Sequence, residues 1–133
     1  MTKLYRPTEH DEQVLYFSWL QFVTINAKPL RRYAFAIPNG GLRRPGVAGK
    51  LKAEGVTPGV PDVMIRVPSG PWHGMQIEAK RMGEKPSALQ LDQIEACKEM
   101  NYWAVVAQGF DEMRRVTVSY LTLSWRVTDR WRG

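Results

Sequence analysis

The sequence predicts an α/β fold in which helices flank one mixed β-sheet. The first reason is the order of the predicted elements, because helices alternate with short strands along the 133 residues. The second reason is a β-hairpin followed by a helix and a further strand, which indicates an antiparallel pair beside a parallel crossover. A chain of this length builds one domain with a real core. We therefore expect a single domain over residues 1–133, with its core at about 9–123 and a tail at 124–133.

The first half of the chain is predicted to form a helix, a strand and a short helix. Residues 11–26 are rich in large apolar side chains and carry charge only at their start, which favours a largely buried helix. In residues 33–37 large apolar side chains alternate with alanines, as in a strand whose large side chains share one face. Residues 45–54 are expected to form a short helix that ends at Gly55.

A β-hairpin is predicted next, with arms at about 62–66 and 75–80 around a turn rich in proline, glycine and serine. Ser87 and Gln90 have the spacing of a capping box, which predicts a helix from there to about Met100.

The last quarter of the core is predicted to be a strand and a helix. Residues 102–107 are a continuous apolar run, typical of a buried strand. Asp111 is expected to cap a final helix that runs to about Leu123, although its β-branched side chains favour a helix less.

The composition points to a polyanionic partner. Nineteen Lys and Arg outnumber thirteen Asp and Glu, which gives a net charge of +6. Much of this charge falls in one stretch, which is either a solvated face or, if the protein acts on nucleic acid, a set of phosphate contacts: Arg31, Arg32, Arg43, Arg44, Lys50 and Lys52. Asn39, in the Pro-Asn-Gly-Gly turn beside them, is either a turn residue or a further contact to nucleic acid.

Three absences narrow the class of protein. One cysteine, Cys97, excludes a disulfide framework within the chain. No apolar stretch reaches the roughly 20 residues that span a bilayer, and the first residues lack the apolar segment of a secretory signal. We expect a cytoplasmic protein that does not bind membranes.

The predicted hairpin carries charged residues where a strand would normally carry apolar ones. If its turn is centred near Gly70, Asp62 lies opposite Glu78, with Cβ atoms about 4.5–5.5 Å apart. Lys80 is two residues beyond Glu78 and shares its face. Two carboxylates at that distance repel each other unless a cation lies between them.

Such a corner suits Mg²⁺, which prefers oxygen ligands. Glu12, in the first turn of the first helix, could join it directly or through water, and Lys80 could orient or help deprotonate a water. These are the groups needed to hydrolyse a phosphodiester. The alternative is an ordinary solvated strand edge, since Asp and Glu-x-Lys are common at strand ends.

The charged residues also resemble a known signature. Gly59-Val60-Pro61-Asp62 followed by Glu78-Ala79-Lys80 is similar to the PD-(D/E)XK nuclease motif, and more closely to the virus-type replication-repair nuclease (VRR-NUC) domain. Five elements typical of that family occur here in order: Glu12, Pro38-Asn39-Gly40-Gly41, the segment from Gly55 to Asp62, Glu78-Ala79-Lys80, and Ser87-Ala88-Leu89-Gln90. The resemblance covers about residues 9–123.

The resemblance implies a restriction-endonuclease-like fold and DNA cleavage that depends on Mg²⁺ or Mn²⁺. By position, the metal ligands would be Asp62, Glu78 and the backbone carbonyl of Ala79. The catalytic residues would be Glu12, Asp62, Glu78, Lys80 and Gln90. Glu9 and Asp11 are near enough to Glu12 to leave the first-helix acid open, and Gln90 is either a helix cap, a site residue or both.

We therefore expect a metal-dependent endonuclease that uses a metal-activated water on branched or structured DNA, Holliday junctions among them. Short stand-alone members resemble phage or bacterial proteins, and some resemble junction-resolving homodimers. The alternative function is a non-catalytic nucleic-acid-binding module on the same fold.

Overall fold

A computed structural model describes residues 5–38 and 46–133. Its centre is a four-stranded sheet in the order β3-β4-β5-β6. The strands are β3 (Ala34–Ala36), β4 (Val63–Ile65), β5 (Met75–Lys80) and β6 (Trp103–Gln108). β3, β4 and β5 pair antiparallel, whereas β5 and β6 pair parallel. The predicted mixed sheet, with its hairpin and crossover, is confirmed.

Within the described residues, four α-helices flank this sheet: α1 (Glu9–Leu20), α2 (Val47–Ala53), α3 (Ala88–Glu99) and α4 (Phe110–Leu121). α3 is the crossover between β5 and β6, and its first turn is closed by the predicted capping box of Ser87 and Gln90. None of the described helices has the length and apolarity that crossing a bilayer requires.

The core fills the face of the sheet that carries the odd-numbered residues of β4 and β5. Val63, Ile65 and Ile77 are fully buried there, as the alternation of the hairpin predicted. α1 and α4 pack against this face, and the Tyr16 hydroxyl lies 2.7 Å from Thr117 Oγ1 where the two helices meet. The even-numbered residues, Asp62 and Glu78 among them, therefore belong to the opposite face.

The predicted helix over 11–26 is wrong at its C-terminal end. α1 stops at Leu20, and β1 (Val23–Ile25) follows it. β1 forms a hairpin with β2 (Lys28–Pro29), and a short 3-10 helix (Leu30–Tyr33) leads into β3.

The reason for the error lies in the run Val23-Thr24-Ile25, whose β-branched side chains favour a strand. Asn26 and Ala27 both have positive φ, 46° and 66°, which matches the tight two-residue turn of a hairpin.

In β3, Ala34 is buried whereas Phe35 is exposed. One smaller prediction, the cap of the last helix, is also corrected. α4 begins one residue before Asp111, with Gly109 at the N-cap position, and Asp111 lies inside the first turn.

The segment expected as a tail completes a second, three-stranded sheet. β7 (Val127–Asp129) pairs antiparallel with β1, in the order β2-β1-β7. Asp129 fixes this segment to two helices, because its Oδ2 accepts hydrogen bonds from Trp19 Nε1 at 3.0 Å and from Arg114 Nη2 at 2.7 Å. Its Oδ1 accepts from the Trp131 backbone N–H at 2.9 Å.

We predict that Asp129→Asn lowers the free energy of unfolding at neutral pH by about 1–2 kcal/mol, because it weakens these charge-assisted hydrogen bonds. Burial alone would raise the pKa of Asp129, but the Trp131 N–H, Trp19 and Arg114 hold it below its usual range. A carboxylate with a lowered folded pKa stabilises the protein above its unfolded pKa of about 3.9 and loses that effect as pH falls further.

Urea unfolding of both proteins between pH 7 and pH 3 measures this difference, which should shrink at the acid end. Asp92→Asn, on the exposed surface of α3, is the matched control. An equal stability of the Asp129→Asn variant and the wild type at pH 7 would contradict the anchoring role.

Candidate active site

The strand register brings Asp62 and Glu78 together. β4 and β5 pair Val63 with Ile77 and Ile65 with Met75, and one further step along the same register sets Asp62 opposite Glu78. This is the register that a turn at Gly70 predicts. Glu78 is only 1% exposed, so the strand carries a carboxylate into the interior.

Pro61 shapes the ladder beside this pair. The β4–β5 register places residue 61 opposite Ala79, and proline has no N–H to donate to the Ala79 carbonyl. The Ala79 N–H donates instead to Asp62 Oδ2 at 2.9 Å. The Asp62 carboxylate is thereby held in place, and Pro61 donates no hydrogen bond to the Ala79 carbonyl.

The loop before Asp62 is packed tightly on α3. Gly59 has φ +87°, and a Cβ there would lie 2.7 Å from the backbone of Leu89. Only glycine fits this close approach at this φ. The contact of Gly59 with the first turn of α3 therefore fixes the position at which the loop leads into Asp62.

Gln90 completes the helix cap and also contacts Glu78. Its Oε1 accepts from the Ser87 N–H at 2.8 Å, which completes the capping box. Its Nε2 donates to Glu78 Oε1 at 2.8 Å. Because the cap fixes the amide orientation, the same side chain orients Glu78.

Glu9, and not Glu12, brings the first helix into this site. Carboxylate oxygens of Glu9, Asp62 and Glu78 lie within 4.8 Å of one another. Glu12 was expected in this place, but its Oε2 accepts a 2.5 Å hydrogen bond from the Phe110 N–H at the start of α4. Asp11 is taken up by the N-terminal cap of α1, where Thr8 N–H and the Tyr5 hydroxyl donate to it.

Two signals in the sequence point to Glu9. Thr8 and Asp11 have capping-box spacing, which assigns Asp11 to the helix end. Glu9 and Glu12 are three residues apart and share a helix face. If the sequence motif places Glu12 on the side of the site, Glu9 lies on that side too.

The electrostatics of the three acids are unfavourable without a cation. Burial and the negative charge of Asp62 raise the pKa of Glu78 to about 8. Burial also raises the pKa of Asp62, against the hydrogen bond from Ala79, and that of Glu9, against the nearby Lys80. Glu78 Oε2 is buried and has no hydrogen-bond partner among the described residues.

Lys80 is the cationic neighbour of the cluster. Its Nζ lies 3.7 Å from Glu78 Oε1, and its side chain is 12% exposed. Gln90 and Lys80 both approach Oε1, so Oε2 is the Glu78 oxygen that remains for another ligand.

This donor set fits a hard divalent cation. Three carboxylates offer the anionic oxygens that Mg²⁺ and Mn²⁺ bind, and a buried carboxylate oxygen without a donor is costly unless a cation or water fills the place.

The predicted nucleic-acid-binding residues are only partly placed. Arg32, Lys50 and Lys52 have exposed side chains. Arg31 is also exposed, but its guanidinium donates to the Ala34 carbonyl and lies 4.9 Å from the ring centroid of Phe17. Three predicted contacts lie outside the described residues: Asn39, Arg43 and Arg44.

Comparison with known proteins identifies the family to which this arrangement belongs. No protein-family model matches the sequence, and no curated protein matches it. A solved structure described as a "VRR_NUC domain protein" is similar, with a TM-score of 0.81 and 30% sequence identity. The similarity covers 91% of this chain and 93% of that chain, and it confirms the predicted restriction-endonuclease-like α/β class. The chain has a nuclease-type fold and belongs to the VRR-NUC domain family.

Proposed function

We propose that this protein is an endonuclease that hydrolyses phosphodiester bonds of branched or structured DNA with Mg²⁺ or Mn²⁺. One observation carries the proposal: Glu9, Asp62 and Glu78 bring carboxylate oxygens within 4.8 Å of one another inside a nuclease fold. Glu78 Oε2, for which the described part of the chain offers no hydrogen-bond partner, and the adjacent Lys80 support it.

Asp62, Glu78 and the Ala79 carbonyl would hold the cation, with Glu9 as a further ligand directly or through water. When bound, a divalent cation supplies Lewis acidity toward the scissile phosphate and its attacking water. Asp62 and Glu78 come from fixed points, the Gly59 loop and β5, so they need little rearrangement to bind.

Lys80 has two tasks in this proposal. Its ammonium offsets the negative charge that develops on the phosphate in the transition state. It also orients the attacking water, since a lysine at a cluster edge can reach both that water and a phosphate oxygen. Gln90 acts through Glu78, whose carboxylate it holds by its amide, and is a positioning residue.

Branched DNA is the proposed substrate class because the family includes proteins that resemble junction-resolving enzymes. The net charge of +6 suits a polyanion with several phosphates close together. Resolution of a Holliday junction requires two cuts, so we further propose a homodimer with one site in each subunit.

The direct test compares labelled four-way junction, flap, splayed and linear DNA, each with Mg²⁺ or Mn²⁺ and with EDTA. Cleavage that requires the metal and prefers a branched substrate is expected. Binding without cleavage in any metal would favour the alternative function, a non-catalytic nucleic-acid-binding module. Light scattering of the protein with and without a junction reports the oligomeric state.

We predict that Lys80→Ala lowers the cleavage rate by about 100-fold or more, because general acid–base and charge-stabilising groups contribute on that scale. DNA affinity in EDTA should change little, and the variant should stay folded at the assay temperature although its melting temperature falls, because buried Glu78 loses its cationic neighbour. Lys98→Ala, which removes an exposed lysine of α3, is the matched control. Cleavage at the wild-type rate would remove Lys80 from the mechanism.

We predict that, at a pH above the Glu78 pKa of about 8, Asp62→Asn raises the melting temperature of the metal-free protein by about 2–5 °C, because it relieves repulsion between buried carboxylates. Mg²⁺ or Mn²⁺ should stabilise the wild type through binding to the folded state, and the variant should lose most of that gain. Thermal unfolding with and without each metal measures both effects. A variant with the full metal-induced shift would contradict the assignment of Asp62 as a ligand.

We predict that Glu9→Gln weakens Mn²⁺ binding by about 10- to 100-fold, the range found for groups that support metal sites. Glu12→Gln should leave the affinity near that of the wild type, because a glutamine oxygen can still accept from the Phe110 N–H. Calorimetric titration of the two variants separates the acids. The opposite order of affinities would return Glu12 to the site.

A further inference from the structure

Phe35 and Asp62 lie on the same face of the sheet. Phe35 pairs with Met64 across β3 and β4, and Asp62 is two residues from Met64 along the chain, so both residues point to the face of Glu78. Phe35 and Asp62 are therefore diagonal neighbours, about 7–8 Å apart between backbones, a separation that aromatic side chains span. We call this part of the face, from the acidic cluster (Glu9, Asp62 and Glu78) to Phe35, the strip.

Arg66 continues the strip on the other side of Phe35. It is the second diagonal neighbour of Phe35, two residues beyond Met64, and its guanidinium carbon lies 4.8 Å from the Phe35 ring centroid. The Phe35 side chain is 37% exposed, and Arg66 is exposed as well. A partly exposed aromatic ring, with the guanidinium over one of its faces, thus lies on the strip that leads to the candidate active site and leaves its other face for a ligand.

The core does not explain this placement. Ala34, the preceding residue, supplies the buried side chain of β3, so Phe35 adds little to the interior. A ring held beside a guanidinium has the two features of single-strand recognition, an aromatic face for a base and a cation for the neighbouring phosphate.

We propose that Phe35 stacks on the base of an unpaired nucleotide adjacent to the scissile phosphate, while Arg66 holds the ring and contacts the next phosphate. This inference rests on the proposed nuclease function and adds a substrate class to it: DNA with single-stranded nucleotides beside the cut. In a continuous duplex the base faces are covered by stacked neighbours, so the platform has nothing to contact. It reads exposed bases without regard to sequence, because every base has a π face.

The test measures binding of the wild type and of Phe35→Ala in EDTA, by fluorescence anisotropy, on two DNAs: a duplex with a single-stranded flap and a blunt duplex of the same length. The variant should lose about 10-fold or more in affinity for the flap DNA and little for the blunt duplex. Phe22→Ala is the matched control, because Phe22 is 47% exposed and comes just after the C-terminal end of α1, whereas Glu9 lies at its N-terminal end.

A second readout reports stacking itself. A 2-aminopurine placed in the flap, one to three nucleotides from the branch, should be quenched by the wild type and by Phe35→Trp. Phe35→Leu, which keeps apolar bulk without an aromatic face, should fail to quench it and guards against a folding defect in the alanine variant.

The outcomes are distinct from those of the proposed function, because no cleavage is measured. Equal losses on both DNAs, no loss on either, or quenching by Phe35→Leu equal to that of the wild type would each overturn the stacking proposal. Metal-dependent cleavage by the wild type would in those cases still support the nuclease.

Discussion

The cross-strand pairing of Asp62 with Glu78 is the interaction on which the rest of the site depends. The register of a short hairpin sets it, and a shift of one residue would send both carboxylates into the core. Apolar side chains on the odd-numbered positions, such as Val63 and Ile77, exclude that shift because they are fully buried. The packing of the apolar core thus determines the geometry of the charged face, to which buried Glu78 belongs.

The close, buried carboxylates of this pair are electrostatically unfavourable, and several neighbouring groups partly offset that cost. The Ala79 N–H restrains Asp62, and the Gln90 amide and Lys80 approach one oxygen of Glu78. The other oxygen has no donor among the residues that the structure describes. Rigidly held carboxylates with one oxygen that accepts no hydrogen bond are what preorganisation for a cation requires. It also explains why stability and function oppose each other at such positions.

Local patterns in the sequence were sufficient for the hairpin, its register, the α3 cap and the crossover, because contacts between near neighbours determine each of them. The capping-box spacing of Ser87 and Gln90, for example, predicts the start of a helix from local sequence alone. The sequence was insufficient where a distant segment decides. The run from Val23 to Ile25 continues an apolar helix pattern, and its β-branched preference for a strand is realised by pairing with the distant β7 as well as with β2. The choice of Glu9 over Glu12 likewise depends on α4, whose first N–H engages Glu12.

The pairing of β1 with β7 has a consequence for the order of events during biosynthesis. Trp19 and Asp129 are 110 residues apart, so the anchor at the C-terminal end of α1 forms only after nearly all of the domain has left the ribosome. Loop closure over such a distance is entropically slow compared with the local hairpin and α3. The Asp62–Glu78 pair needs only the local hairpin, whereas the anchor at the end of the helix that carries Glu9 also needs β7, near the other end of the domain.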